Sequence, residues 1–398
     1  MQLNIDKIAD SIRAMPPESP VCAYLYDLSA LQRHVGALTA KLPANCEMFY
    51  AVKANSDLPI LQTIAPLVTG FEAASGGEVH WLRRHFPELP LIFGGPGKTD
   101  AELAAALDLN VELLHVESIG ELHRLAWIAR QKNKQVKVLL RINLPLDPAL
   151  STSLSMGGHA TQFGIEPAQR EVCLAFLKQH PELNCQGFHF HLLSHQLDAQ
   201  AQLQLIDLCF QQTKNWCRAY GLEHAMLNIG GGFGINYREP SQQFDWQGFS
   251  DGLKDLIVRH NLETWKIRLE PGRYVSAACG YYLAQVIDIK HSFGRWFVIC
   301  QGGSHHFRTP YAQGHSHPFK VIAKDYWPYP FKRYGVEQTR ITVCGQLCTP
   351  KDILAYDAAV TRVRMGDVLV FPYAGAYAWH ISHHDFLRHP HPEHIYLA

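Results

Sequence analysis

Lys53 stands in the run Phe49-Tyr50-Ala51-Val52-Lys53-Ala54-Asn55, a single cation inside apolar sequence. A charge so placed is costly unless it is paired or used. Desolvation lowers a lysine's pKa, which suits an amine that must join an aldehyde as a Schiff base. The structural alternative is a lysine whose head snorkels to the edge of a sheet. Gly230-Gly231-Gly232-Phe233 offers backbone N–H groups with no side chains in the way, as a phosphate cradle needs; a plain turn reads the same. His189 and His191 are two apart and so leave a strand on one side. One of them fits a core histidine, and His191 is otherwise read as covering a flat ring. Glu270 precedes Pro271-Gly272-Arg273. A buried carboxylate there wants a cationic partner, which a protonated pyridine nitrogen, Arg141 or Arg273 would provide.

The elements that must position these residues are strands. Eight apolar runs, Met48–Lys53, Thr69–Ala74, Leu91–Gly94, Val111–His115, Val136–Ile142, Gly187–His191, Ala225–Ile229 and Trp265–Glu270, alternate with helix-like segments such as Glu102–Leu109, Ile119–Arg130 and Gln200–Tyr220. The unusual residues fall at their C-terminal ends. Lys53 ends the first run, Ser75-Gly76-Gly77-Glu78 follows the second, and Gly95-Pro96-Gly97-Lys98 follows the third. Arg141 and Asn143 close the fifth, His191 the sixth and Glu270 the eighth, and the glycine run follows the seventh. Such alternation predicts an α/β chain with a parallel sheet, and eight units predict a (β/α)8 TIM barrel, where all these ends share one face and phosphate binds after strands seven and eight. A doubly wound open sheet is the alternative. After Glu270 the runs Tyr281–Ile289, Arg295–Cys300, Arg340–Val343 and Val368–Pro372 predict a second, antiparallel β domain, which Val21–Tyr26 can join. The expected division is a barrel over 28–275 and a discontinuous β domain over 1–27 and 276–398.

Acidic and basic residues number 36 each, so no charged field points to nucleic acid. The first residues mix charges and lack the apolar stretch of a secretion signal, while Ile5, Ile8 and Ile12 recur at helical spacing. No apolar run is long enough for a membrane span. Ten scattered cysteines fit reduced thiols and a cytoplasmic enzyme. His380, His383, His384, His389, His391 and His394 read as an exposed polar tail, and Cys344 and Cys348 lack a second cysteine pair, so no metal is expected.

Taken together, the motifs resemble the fold-type III pyridoxal 5'-phosphate (PLP) decarboxylases, the family of diaminopimelate, ornithine and arginine decarboxylases. The likeness runs from Tyr24-Leu25-Tyr26-Asp27 to Gly375-Ala376-Tyr377. It implies that Lys53 carries PLP. Phe71-Glu72-Ala73-Ala74-Ser75-Gly76-Gly77-Glu78 is similar to the second barrel motif. By the same resemblance, His191 covers the ring and Glu270 meets the pyridine nitrogen. Ser194, Gly231, Gly232, Arg273 and Tyr377 serve the phosphate, and Arg141 is placed with the cofactor-binding residues. Cys344-Gly345-Gln346-Leu347-Cys348 resembles the segment whose cysteine crosses a dimer interface, which implies a homodimer with shared active sites and Cys348 as the proton donor to Cα.

The chain also departs from the classical members. Thr349 stands where they carry the acid that pairs with a substrate's distal amine, and Leu193 replaces the glycine before the serine. Ser304-His305-His306, then Arg308, replaces an Asn-Asp turn. These departures resemble the siderophore branch, whose enzymes decarboxylate a diaminopropionate unit already joined to citrate, as in staphyloferrin B assembly. His305, His306, Arg308 and Thr349 are then the expected substrate-binding residues, with a solvated loop as the alternative for the histidines. Diaminopimelate or another amino acid is the alternative substrate. Alanine racemases share the barrel but use a tyrosine as second acid/base, and a non-catalytic PLP-binding regulatory homologue is the alternative of another class.

Overall fold

Eight parallel strands close on themselves in a computed structural model of the protein, which describes residues 5–146, 154–222 and 225–398. They are Cys46–Ala51, Gly70–Ala73, Leu91–Phe93, Leu113–Val116, Val136–Arg141, Leu183–His189, Met226–Asn228 and Lys266–Leu269, and the last pairs with the first through Ile267 and Cys46. This is the expected barrel. Most strands are shorter than their apolar runs, and the difference matters for the site. Lys53 lies on a 3-10 turn, Val52–Ala54, just past its strand, and His191 lies two residues past its own. Helices begin where Asp, Ser or Thr follows a strand. Asp27, Ser75, Thr99, Ser118, Asp198 and Asp245 each accept a backbone N–H of the first helical turn, satisfying a donor that the helix itself leaves orphaned.

The barrel interior is layered. Arg268 lies at the bottom, bound to Glu47 and Glu112 at 2.7 and 2.6 Å, with its guanidinium 4.5 Å from the Phe49 ring centre. Phe49, Ile92, Leu113, Leu139 and Met226, one from each of five strands, form an apolar floor. Period-two alternation then puts Ala51, Gly94, His115, Arg141 and Asn228 one layer higher. Outward residues of the barrel strands, among them Phe71, Leu114 and Phe188, are fully buried under the helices.

A second sheet of eight strands is built around Gly280–Ser292. Cys22–Asp27 pairs with it antiparallel, Cys22 against Ala284 and Tyr26 against Gly280. The sheet is mostly but not wholly antiparallel. Arg295–Cys300 runs parallel to Gly335–Cys344, and Glu393–Leu397 runs parallel to Cys22–Asp27. The strands Lys320–Ile322, Ile353–Arg364 and Glu393–Leu397 lie outside the predicted runs. The N-terminal helix, Ile5–Ala14, packs Ile8 and Ile12 on Val21, Leu25, Leu283 and Val370 of this sheet. Among the described residues, no helix is long and apolar enough to cross a membrane.

Candidate active site

The C-terminal ends of the barrel strands surround a cavity of about 390 Å³, in the range of small-molecule sites. Lys53, Arg141, His191, Ser194, Glu270, Arg273, Tyr377 and Gly232 all line it. The sequence scattered these residues over more than 300 positions, and the barrel brings them to one face.

Lys53 projects from its 3-10 turn with the side chain 42 % exposed to the cavity. Its Nζ donates to Glu72 Oε2 at 2.9 Å and Oε1 at 3.2 Å. Burial pushes the amine's pKa down, in line with the sequence, but Glu72 foremost, with Tyr377 and Glu270, more than reverses this. The net shift is upward, so the correction is that Lys53 rests protonated with a base beside it.

Glu270 sits opposite. Arg141 and Arg273, the alternative partners, are engaged elsewhere. Arg141 binds Glu117 at 2.7 Å; Arg273 donates to Tyr237 Oη at 2.9 Å and lies 4.4 Å from the Tyr377 ring centre. Glu270 Oε1 instead accepts from Asn228 Nδ2 at 2.7 Å. Burial, followed by the charge of Glu72, pushes its carboxyl up to about 8. A carboxyl that holds a proton near neutrality, with no guanidinium on it, suits a ring nitrogen that must be protonated, and would supply that nitrogen with a proton and then a carboxylate partner.

The glycine run packs closely against the end of the strand that carries Glu270, and of its glycines Gly232 lines the cavity. A Cβ on Gly231 would stand 2.2 Å from the Glu270 carbonyl oxygen, so only glycine fits there. The Gly231 N–H donates to His191 Nδ1 at 3.1 Å, which places the proton of the neutral ring on Nε2. Burial, with the charges of Arg141 and Lys53, keeps His191 well below its ordinary pKa, and an uncharged imidazole is what a ring-covering role needs. The lysine, the buried carboxyl and the Arg273 guanidinium, all lining one cavity, fit PLP as a group.

Sequence reasoning gave no role to Glu72, Glu117, His115, Asn228 or His195. Glu72 and Glu117 were visible only as acids near strand ends. His195, next to Ser194, takes a left-handed backbone (φ 61°) and lines the cavity. Its ring stacks on Tyr237 at 5.9 Å, and Tyr237 stacks on His315 at 4.9 Å, so a column of rings leads from the barrel loop into the β sheet.

The remaining expected residues lie apart from the cavity within one chain. Cys348 is exposed and Thr349 half-buried, in the turn after Gly335–Cys344. Arg308 is half-buried and bonds His383. His305 and His306 are not a solvated loop: both are buried, 3.9 Å apart by ring centres, with His306 packed on Trp379 and His305 on His389. The histidine tail is not a free polar tail either. His380 binds Asp57 at 3.1 Å, His384 stacks on Trp379, and His394 belongs to the last strand and stacks on Tyr24. Among the described residues, the one trio close enough to share a metal is His115, His189 and Glu270, within 4.8 Å. The charges of Arg141, Lys98, Arg268 and Lys53 bear on it and oppose a dication.

Residues 28–277 match the family model of the pyridoxal-dependent decarboxylase, pyridoxal binding domain. The chain is 43 % identical over 379 residues to 2-[(L-alanin-3-ylcarbamoyl)methyl]-2-hydroxybutanedioate decarboxylase of Staphylococcus aureus, spanning 95 % of this chain and 94 % of the relative. It is 28 % identical to L-glutamyl-[BtrI acyl-carrier protein] decarboxylase of Niallia circulans, over 98 % and 91 % of the two chains. A crystal structure of a diaminopimelate decarboxylase mutant from Helicobacter pylori with L-lysine superposes with a TM-score of 0.85 at 25 % identity, covering 99 % of this chain and 94 % of the other.

Proposed function

The chain belongs to the pyridoxal-dependent decarboxylases, and from that membership we propose that it removes the α-carboxylate of a diaminopropionate unit joined through an amide to citrate. The observation that carries the substrate is the near full-length likeness to the Staphylococcus aureus enzyme, whose name describes such a compound. Thr349 agrees with it. A buried acid at that place would repel a citryl carboxylate, whereas a threonine hydroxyl donates a hydrogen bond to it.

PLP supplies the electron sink that accepts the electrons of the broken Cα–carboxylate bond. The chain's own residues do the rest. Lys53 attaches the cofactor, and Glu72 stands ready to take the proton that the ammonium must lose first. Glu270 holds a proton at the ring nitrogen. His191 covers one face of the ring and excludes water from it. Arg273, Ser194, Tyr377 and the glycine run, through Gly231 and Gly232, would hold the phosphate. In this reading the enzyme is a homodimer, and Cys348 of a second copy delivers the proton to Cα while His305, His306, Arg308 and Thr349 serve the citryl end. The exposure of Cys348 outside the cavity supports a contribution across an interface. Ten cysteines, free among the described residues, fit a reducing cytoplasm.

The test is CO2 release from a panel of the citryl-diaminopropionate, meso-diaminopimelate, ornithine, lysine and arginine. The highest kcat/KM is expected for the citryl compound. A higher value for diaminopimelate or a basic amino acid overturns the substrate, and no release from any compound, with PLP bound, favours a regulatory homologue.

A further inference from the structure

Between the apolar floor and the cavity lies a polar layer that the chemistry above leaves unused. His115 and His189 are 1 % and 3 % exposed, and their rings stack with centres 3.9 Å apart and planes at 28°. His115 Nε2 is 3.7 Å from Glu270 Oε1, and His189 Nε2 is 3.5 Å from Glu270 Oε2. The two imidazoles therefore approach the two oxygens of one carboxyl.

The protonation of His115 can be read from its neighbours. The Asn228 Oδ1 accepts from the Gly230 N–H at 2.8 Å, which fixes the amide's orientation. Its Nδ2 then donates to Glu270 Oε1 and stands 3.3 Å from His115 Nε2. An amide N–H directed at Nε2 makes that nitrogen an acceptor, so the ring's proton is on Nδ1. Nδ1 has no hydrogen-bond partner. A Cβ on Gly94 would lie 3.4 Å from this Nδ1 and 3.4 Å from Glu72 Oε1, so one missing side chain marks the gap between the two. His115 thus stands between the carboxyl that serves Lys53 and the carboxyl that serves the ring nitrogen. Burial lowers the pKa of both histidines well below the ordinary value, helped at His115 by the surrounding Arg and Lys charges and at His189 by His115 and Arg141.

A pair that merely filled space would cost less as two apolar side chains, since buried imidazole nitrogens without partners are expensive. We propose that His115, stacked on His189 and joined to Asn228, is a positioning residue that holds the Glu270 carboxyl in the one orientation that meets the cofactor's ring nitrogen. His115 acts through Glu270 and touches no reacting atom. The inference rests on the cofactor assignment above.

The experiment compares the affinity of cofactor-free protein for PLP and for 1-deazapyridoxal 5'-phosphate, which has carbon in place of the ring nitrogen, read by fluorescence. His115→Leu keeps bulk and removes both nitrogens. It is expected to weaken PLP about tenfold, the scale of one charge-assisted hydrogen bond, and to leave the deaza compound unchanged. His115→Gln, which returns a polar atom near the carboxyl, is expected to recover most of the loss. In a Glu270→Gln background, His115→Leu is expected to change neither affinity. Equal weakening of both compounds, or no weakening of PLP, overturns the proposal. Should the leucine variant fail to fold, His115→Asn, polar but short of the carboxyl, gives the same comparison. A wild-type protein that binds neither compound would remove the cofactor assignment itself. One that binds PLP but decarboxylates nothing would remove only the function.

Discussion

The Lys53 ammonium donates to both oxygens of Glu72, at 2.9 and 3.2 Å, and this pair decides when the lysine is reactive. Burial alone would lower the amine's pKa, and Glu72 foremost turns the shift upward. A raised lysine is deprotonated only at higher pH, so attachment of PLP by the wild-type protein should accelerate as pH rises. Replacing Glu72 by Gln removes the largest influence that opposes burial and should move the midpoint of that profile down by about one unit or more. Growth of the visible absorbance after mixing cofactor-free protein with PLP reads the midpoint. An unmoved midpoint would show that Glu72 does not set it.

Glu270, pushed up to about 8 by burial and by Glu72, ties stability to pH. Its unfolded pKa is near 4.3, so between about pH 5 and 8 the folded chain holds a proton that the unfolded chain has lost. The stability that this group contributes is therefore complete below the unfolded pKa and is lost as pH rises through the folded one. Glu270→Gln cannot titrate. The melting temperature of cofactor-free wild type should fall relative to the variant across that window, and a constant difference would contradict the shift. With PLP bound, the same variant should decarboxylate on the order of 100-fold more slowly.

Cys348 and Lys53 lie in separate parts of one chain, so the dimer reading makes a definite prediction. Lys53→Ala and Cys348→Ala homodimers should both be nearly inactive. Mixing them should restore activity, because a heterodimer then carries one intact site. If subunits exchange, as labelled chains would show, and no activity returns, the two residues serve one chain's site.

Arg308 bonds His383 and remains half-buried in the single chain, which leaves the guanidinium open to a partner. If it pairs with a substrate carboxylate in a dry site, Arg308→Gln should lose about 2–5 kcal/mol of transition-state binding, roughly 30- to 5,000-fold in kcat/KM. The loss should be greatest for the citryl compound. A uniform small loss across substrates would place Arg308 in the fold and not in recognition.

The barrel was legible because four of its eight strands run on into a residue that apolar sequence does not tolerate idly: Lys53, Arg141, His191, Glu270. Their types survive any error in strand length. The polar layer beneath was not legible, since His115 and Asn228 sit within apolar runs and gain meaning only from Glu270, 155 and 42 residues further on. The second sheet was half legible. Ile353–Arg364 pairs with Gly335–Cys344 yet exposes residues on both faces, so its sequence lacks clean alternation. His305 and His306 do lie in a turn, as histidine beside glycine and serine suggests, but rings of Tyr282, Trp379 and His389 enclose them, so they are not solvated.

Cys22–Asp27 lies between Gly280–Ser292 and Glu393–Leu397, so the first strand made is sandwiched by two that are made only after all eight barrel strands. During synthesis at roughly 5–20 residues per second, its second neighbour emerges roughly 20–75 s after it does. Until then one hydrogen-bonding edge of a strand that carries Tyr24 and Tyr26 waits without its partner. Newly made chains are thus most open to wrong strand pairing in that interval, and a holdase that shields Tyr24 and Tyr26 would raise the yield of folded protein more than one that acts on the finished chain.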